Sequence, residues 1–139
     1  MLDSRNSPEL IDKLRPHARA GVDFSRASVG EGWRPLVVEC HERLSASFPD
    51  YELLAIKQKY GALEYQAFPR PRVATGRSFS RDEDSALMAI TDEIRDRSER
   101  VCEWCGAAGE LRESRHLQLT LCNLCDDKFP DPPENLRGL

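Results

Sequence analysis

The sequence predicts an α+β fold: helices packed on a small antiparallel hairpin, followed by a short module gathered around four cysteines. Three observations predict it. Trp33, Val37, Cys40, Leu44 and Phe48 recur at three- and four-residue steps, the period of a helix with one apolar face. Between Tyr51 and Phe68, apolar and polar residues alternate on either side of Gly61-Ala62, as in a hairpin with one face on a core. Cys102-Glu103-Trp104-Cys105-Gly106 and Cys122-Asn123-Leu124-Cys125 are two Cys-x-x-Cys pairs separated by residues 106–121, the spacing of one tetrahedral metal site. The expected organisation is a body over residues 1–100 (helix, helix, hairpin, helix), a metal-held module over 101–128 and a Pro-rich tail over 129–139.

Ser7-Pro8-Glu9 opens the first helix, with Ser7 as its cap and Pro8 in the first turn, where no N–H is needed. Leu10, Ile11 and Leu14 form its apolar face, Pro16 interrupts it and Gly21 marks its end. Residues Gly21 to Gly32 carry few apolar groups and read as a connecting loop. The second helix starts near Trp33-Arg34-Pro35, is widened on its apolar side by Leu36, and stops at Phe48-Pro49-Asp50. Glu39, Glu42 and Arg43 are its solvated face.

In the hairpin, Gly61-Ala62 as a two-residue type II′ turn pairs Tyr60 with Leu63, Gln58 with Tyr65 and Ile56 with Ala67. That register puts Leu54, Ile56, Tyr60, Leu63, Tyr65 and Ala67 on the core, and Lys57, Lys59, Glu64 and Gln66 in water. A basic loop follows up to Phe79. Ser80-Arg81-Asp82-Glu83 is a capping box, and Leu87, Ile90, Ile94 and Val101 continue one helical face behind it. Acids lead that helix (Asp82, Glu83, Asp84) and arginines close it (Arg95, Arg97, Arg100), the order that suits the helix dipole.

The bulk properties narrow the class. With 32% charged and 40% hydrophobic residues, the chain has the balance of a globular protein, and it holds no apolar run of the roughly 20 residues a membrane span needs. Its first residues lack the apolar core of a signal peptide, so a cytoplasmic location is expected, where cysteine pairs serve metals rather than disulfides. The net charge of −4 is uneven. Lys57, Lys59, Arg70, Arg72, Arg77 and Arg81 face one acid, Glu64, between positions 57 and 81, whereas seven acids oppose four basic residues from Val101 onward.

Zinc takes soft ligands in a tetrahedron, and each Cys-x-x-Cys turn aims two sulfurs at one point. Gly106 lets the chain fold back beneath the first pair. Leu111-Arg112 and the alternating His116–Leu121 stretch read as two short strands between the pairs. Loop, hairpin and loop around one metal make a zinc ribbon, so one structural Zn²⁺ on Cys102, Cys105, Cys122 and Cys125 is the favoured reading. A redox dithiol, a catalytic zinc and an iron–sulfur cluster are its competitors. His116 is a possible substitute ligand, with an ordinary strand histidine preferred. Trp104 is expected over the metal loop or as a contact residue, and Cys40 as a buried thiol in the second helix. His41 beside Cys40 is not read as its base, because helix neighbours point about 100° apart.

No phosphate loop and no nucleophile elbow occur, and Gly30-Glu31-Gly32 forms no motif by itself. Lysines and arginines interleaved with Tyr60, Tyr65, Phe68 and Phe79 resemble a single-strand binding surface, although the register above turns both tyrosines inward.

Trp33-x-Pro35-Leu36, Ile56-Lys57-x-Lys59-Tyr60-Gly61-x-Leu63-x-Tyr65, Cys102-Glu103-x-Cys105-Gly106 and Leu121-Cys122-x-x-Cys125 together resemble an uncharacterised group of small bacterial and phage proteins. In that group a helix and a Lys-rich hairpin precede a four-cysteine knuckle. The likeness spans about Gly32 to Cys125 and implies this architecture, a bacterial or phage source and an accessory role. Ala62 stands where a second glycine is expected, which leaves the turn type open.

The functional expectation is a non-catalytic protein-binding module with a structural zinc, in its most concrete form an inhibitor or immunity-type factor that blocks a partner enzyme. The partner expected is a protein with a basic surface, met by Trp104, Asp126 and Asp127, with Lys57, Lys59, Arg70 and Arg72 as further contact candidates. The alternatives are a nucleic-acid-binding regulator using Lys57 to Arg81, and an enzyme with a structural zinc.

Overall fold

The computed structural model describes residues 1–71 and 79–131, and their architecture is α+β, with four helices and three two-stranded antiparallel sheets among those residues. Arg72 and Arg77 of the basic segment, and the tail from Pro132, lie outside the described residues. No helix among the described residues is long and apolar enough to cross a membrane.

The core is built where three elements meet. Helix α2 (Arg34–Ser47) buries Leu36, Val37, Cys40 and Leu44, the stripe its period dictates. Strands β3 (Glu52–Lys59) and β4 (Ala62–Phe68) add Leu53, Ile56, Leu63 and Tyr65, and helix α3 (Arg81–Ser98) adds Leu87 and Ile94. Helix α1 (Pro8–Leu14) closes one side with Leu10, Ile11 and Leu14 before a 3-10 turn through Pro16 ends it. The capping box of α3 is complete: the Glu83 N–H donates to Ser80 Oγ and the Ser80 N–H to the Glu83 carboxylate. At its other end, buried Ser98 Oγ accepts the Leu63 N–H at 2.9 Å and donates to the Arg95 carbonyl, fixing α3 to β4.

The structure corrects several local expectations. Ser7 sits at the N-cap position of α1 without capping it, because its hydroxyl donates to Asn6 Oδ1 and accepts from Arg34. The segment from Gly21 to Gly32 is more than a loop. It contains β2 (Arg26–Ala27), paired with β1 (Leu2–Asp3), and it buries Phe24, Ala27 and Val29. Glu39 and Arg43 are not simply solvated, since Glu39 holds Arg97 and Arg43 while Arg43 also reaches Glu93, tying α2 to α3.

The hairpin turn is Tyr60-Gly61, not Gly61-Ala62. Both turn residues have positive φ (+52° and +82°), and Lys59 pairs with Ala62, Gln58 with Leu63 and Ile56 with Tyr65. Each expected partner is thus displaced by two residues, a shift that preserves side-chain parity, so Ile56, Leu63 and Tyr65 still face the core. Tyr60 instead leaves it and is 74% exposed. A bulge between Leu53 and Ala55 then inverts the alternation, so Leu53 is buried where Leu54 was expected.

Beneath the hairpin lies a polar run: His41 Nδ1 is 2.8 Å from the Tyr51 hydroxyl, which is 2.7 Å from the Tyr65 hydroxyl. The His17 ring stacks on Tyr51 with centroids 4.0 Å apart, and its Nδ1 meets the Tyr51 carbonyl. A neutral His41 can accept from Tyr51, which accepts from Tyr65. A protonated ring must donate instead, and one hydroxyl hydrogen in the run is then left without an acceptor. Burial, followed by the charges of His17 and Lys13, holds His41 below the ordinary histidine value of 6.5. The unfolded chain therefore takes up this proton more readily, and stability falls as pH drops through about 6.5 toward the lowered folded value. Urea midpoints should decline between about pH 7 and pH 5.5, and His41→Gln should flatten that part of the profile.

Candidate metal centre

The C-terminal module has its own small core. Cys102, Leu121 and Cys125 are buried, and Trp104, Leu119, Cys122 and Phe129 pack around them. Strands β5 (Glu110–Arg112) and β6 (Leu119–Leu121) lie between the cysteine pairs, with Leu111 opposite Thr120. The second strand is shorter than its alternation suggested. Helix α4 (Asn123–Lys128), absent from the sequence expectation, begins within the second pair.

Each pair is shaped by backbone bonds. In the first knuckle the Gly106 N–H donates to the Cys102 carbonyl at 3.0 Å, and the reversal puts Gly106 at φ +82°. The Cys102 N–H donates to Ala107 and the Glu103 N–H to Thr120 of β6. In the second, the Cys125 N–H points at Cys122 Sγ, 3.4 Å away, with Cys122 in the N-cap position of α4. The four sulfurs lie within 4.8 Å of one another, and Cys105 Sγ and Cys122 Sγ are 3.6 Å apart. Bonds of about 2.3 Å in a tetrahedron require sulfurs roughly 3.8 Å apart, so the donor set fits a metal ion held by four thiolates. Burial opposes the Cys102 thiolate, but the amides of Cys122, Cys105 and Trp104 outweigh it and bring that thiol down to about 6. His116 is not a member of the cluster; its backbone N–H donates to the Asp131 carboxylate.

Two arginines clamp this module. Arg112 donates to the Leu121 carbonyl and to Asn123 Oδ1, while Arg115 donates to Asp126 at 2.8 Å and to the carbonyls of Phe129 and Pro130. Asp126, a candidate contact residue, is therefore engaged within the module, whereas Asp127 is exposed. Trp104 is half-buried against Phe129, with ring centroids 5.2 Å apart. Lys57 and Lys59 are exposed and Arg70 is paired with Glu83. Tyr65 is buried, and the half-buried rings of Phe68 and Phe79 stack on each other.

The sequence hid how the knuckle meets the body. The Gly32 N–H donates to the Glu103 carbonyl at 2.7 Å, the Gly30 N–H to Glu103 Oε2 at 3.0 Å, and the Trp33 indole N–H to the Val101 carbonyl at 2.9 Å. A methyl at Gly32 would run into the Cys102 carbonyl oxygen, and one at Gly30 into the Glu103 carbonyl and the Trp104 ring. Gly30-Glu31-Gly32 is thus the seat of the first knuckle. Glu103 is buried there with Oε1 unpartnered among the described residues, and burial pushes its carboxyl up to about 7 against the pull of the Gly30 N–H. The hairpin tip is a second seat: Thr120 Oγ1 donates to the Gly61 carbonyl, and Gly61 leaves room for Leu111.

Comparison with protein-family models, with curated proteins and with solved structures gives no match for this chain. The functional reading rests on the geometry.

Gly32→Ala should destabilise the protein by about 3 kcal/mol, because the opposing atoms are backbone and cannot rotate away. It should also weaken metal retention during dialysis against a chelator. Gly21→Ala, at a positive φ that Gly32 does not share but with nothing near its Cβ among the described residues, should leave metal retention unchanged.

Proposed function

We propose that the protein is a non-catalytic binding module whose partner is another protein, and that the metal is one structural Zn²⁺. Zinc is the common occupant of a tetrahedral four-thiolate set, and such a set leaves no position open for water or substrate. In a groove of about 1220 Å³ beside the hairpin, most of the charged groups are already engaged within the protein, Asp50 excepted, which also supports a non-catalytic reading. Arg19 is paired with Glu52 and Arg70 with Glu83, and His17 Nδ1 is committed to the Tyr51 carbonyl.

One observation carries the partner. Leu124 lies between the last two cysteines, on a helix fixed by Cys122 and Cys125, and is 73% exposed. A large apolar side chain held rigidly in water is a suitable anchor for a protein interface. Exposed Asp127, one helical turn on, gives it an acidic border suited to a basic partner. In its most concrete form the module blocks a partner enzyme, as an inhibitor or immunity-type factor. That form also draws on its resemblance to small accessory proteins of bacteria and phages.

Elemental analysis of protein purified without chelators should return about one zinc per chain, and far less than one, or stoichiometric iron, would refute the zinc assignment. Tagged protein expressed in its native host should retain a stoichiometric protein partner. Leu124→Ser should release that partner while keeping its zinc. Capture of no protein, or capture indifferent to Leu124, would count against the interface.

A further inference from the structure

The hairpin tip breaks a rule of turn chemistry. Tyr60 adopts φ +52°, where glycine, asparagine or aspartate would sit at lower cost. Its side chain returns little to the fold, being 74% exposed with no hydrogen bond, ion pair or ring contact among the described residues. Strain held by an exposed ring that stabilises nothing nearby points to work outside the fold.

The surroundings of Tyr60 indicate what kind of work. Lys57 and Lys59 are both exposed on the outer face of β3, about 7 Å apart as alternate strand residues are. Neither forms an ion pair among the described residues. Glu64, directly across from Lys57, is instead 3.6 Å from Arg95. Lys57 also lines a groove of about 430 Å³ between β3 and residues 22–28, together with Val22, Ser25, Arg26 and Ser28. Asp23 is the groove's one acid, and exposed Arg26 likewise has no ion pair among the described residues.

We propose that Tyr60, Lys59, Lys57 and Arg26 form a contact surface for single-stranded nucleic acid, with a base stacked on Tyr60 and the cations following the phosphates. Lysine is depleted from the centres of protein–protein interfaces, whereas cations beside an exposed ring suit a strand whose bases are unpaired. The surface shares no residue with the Leu124 face, so it stands or falls separately from the protein partner. Because the chain as a whole carries −4, the attraction is local and binding belongs to low salt.

The test is fluorescence anisotropy of the zinc-loaded protein with labelled oligothymidylate, its duplex with oligoadenylate, and labelled poly-glutamate. The wild type should prefer the single strand, and affinity should fall steeply between about 50 and about 200 mM salt. Lys57→Ala with Lys59→Ala should reduce the logarithmic salt slope by about 1.4, or about 0.7 for each phosphate that is no longer neutralised. Tyr60→Gly should weaken binding about tenfold with the slope unchanged. Since glycine suits this φ, its denaturation midpoint should not fall, which separates an effect on stacking from an effect on structure. No binding to the single strand, equal affinity for Tyr60→Gly, or preference for duplex or poly-glutamate would overturn the proposal.

Discussion

The arrangement depends on the seating of Glu103 in the Gly30–Gly32 turn. Both glycine amides are spent on this one residue, the Gly32 N–H on its carbonyl and the Gly30 N–H on its carboxyl group. Trp33 extends the same contact through its indole N–H to Val101. Trp33 is fully buried, so these bonds join the interior of the body to a residue that lies between two of the clustered cysteines. Buried donors of this kind cost about 1–3 kcal/mol each when left without an acceptor. A disturbance of the first knuckle therefore reaches the start of α2.

A metal ion held by the four cysteines would accordingly do more than hold a terminal appendage together. The four clustered cysteines belong to the first knuckle and the start of α4, and β6 lies between the two pairs. Through Thr120, β6 touches both the first knuckle and the hairpin tip. The body and the ribbon have separate apolar cores, yet polar contacts join them at two seats. At each seat a glycine admits an approach that a larger residue would obstruct. Arg112 and Arg115 complete the ribbon from within by binding carbonyls and Asp126, which draws part of its acidic character inward.

What the sequence made legible followed from local rules. The stripe from Trp33 to Leu44, the Ser80–Glu83 capping box and the two cysteine pairs each carry their signal within a few residues, and each appears as expected. The hairpin was visible but its turn was misplaced. Glycine-first chemistry favours Gly61-Ala62, while the chain puts a tyrosine at positive φ against its own preference. The bulge at Leu54 left no sequence mark, since alternation alone cannot show where it is interrupted. Gly30 and Gly32 were unreadable for another reason. Their importance comes from a backbone more than 70 positions away, and no local pattern encodes that approach.

That separation bears on how the molecule is made. The Gly30–Glu103 bond closes a loop of 73 residues, among the most expensive closures in chain entropy that this fold contains. Helices and the hairpin can form from near neighbours, but the turn that opens α2 must wait for its acceptors. Until Val101 and Glu103 arrive, the Trp33 indole and two glycine amides have no internal partner. Metal capture by the four cysteines would then act as the closing step of assembly, with the supply of the ion setting how long that unfinished surface stays open.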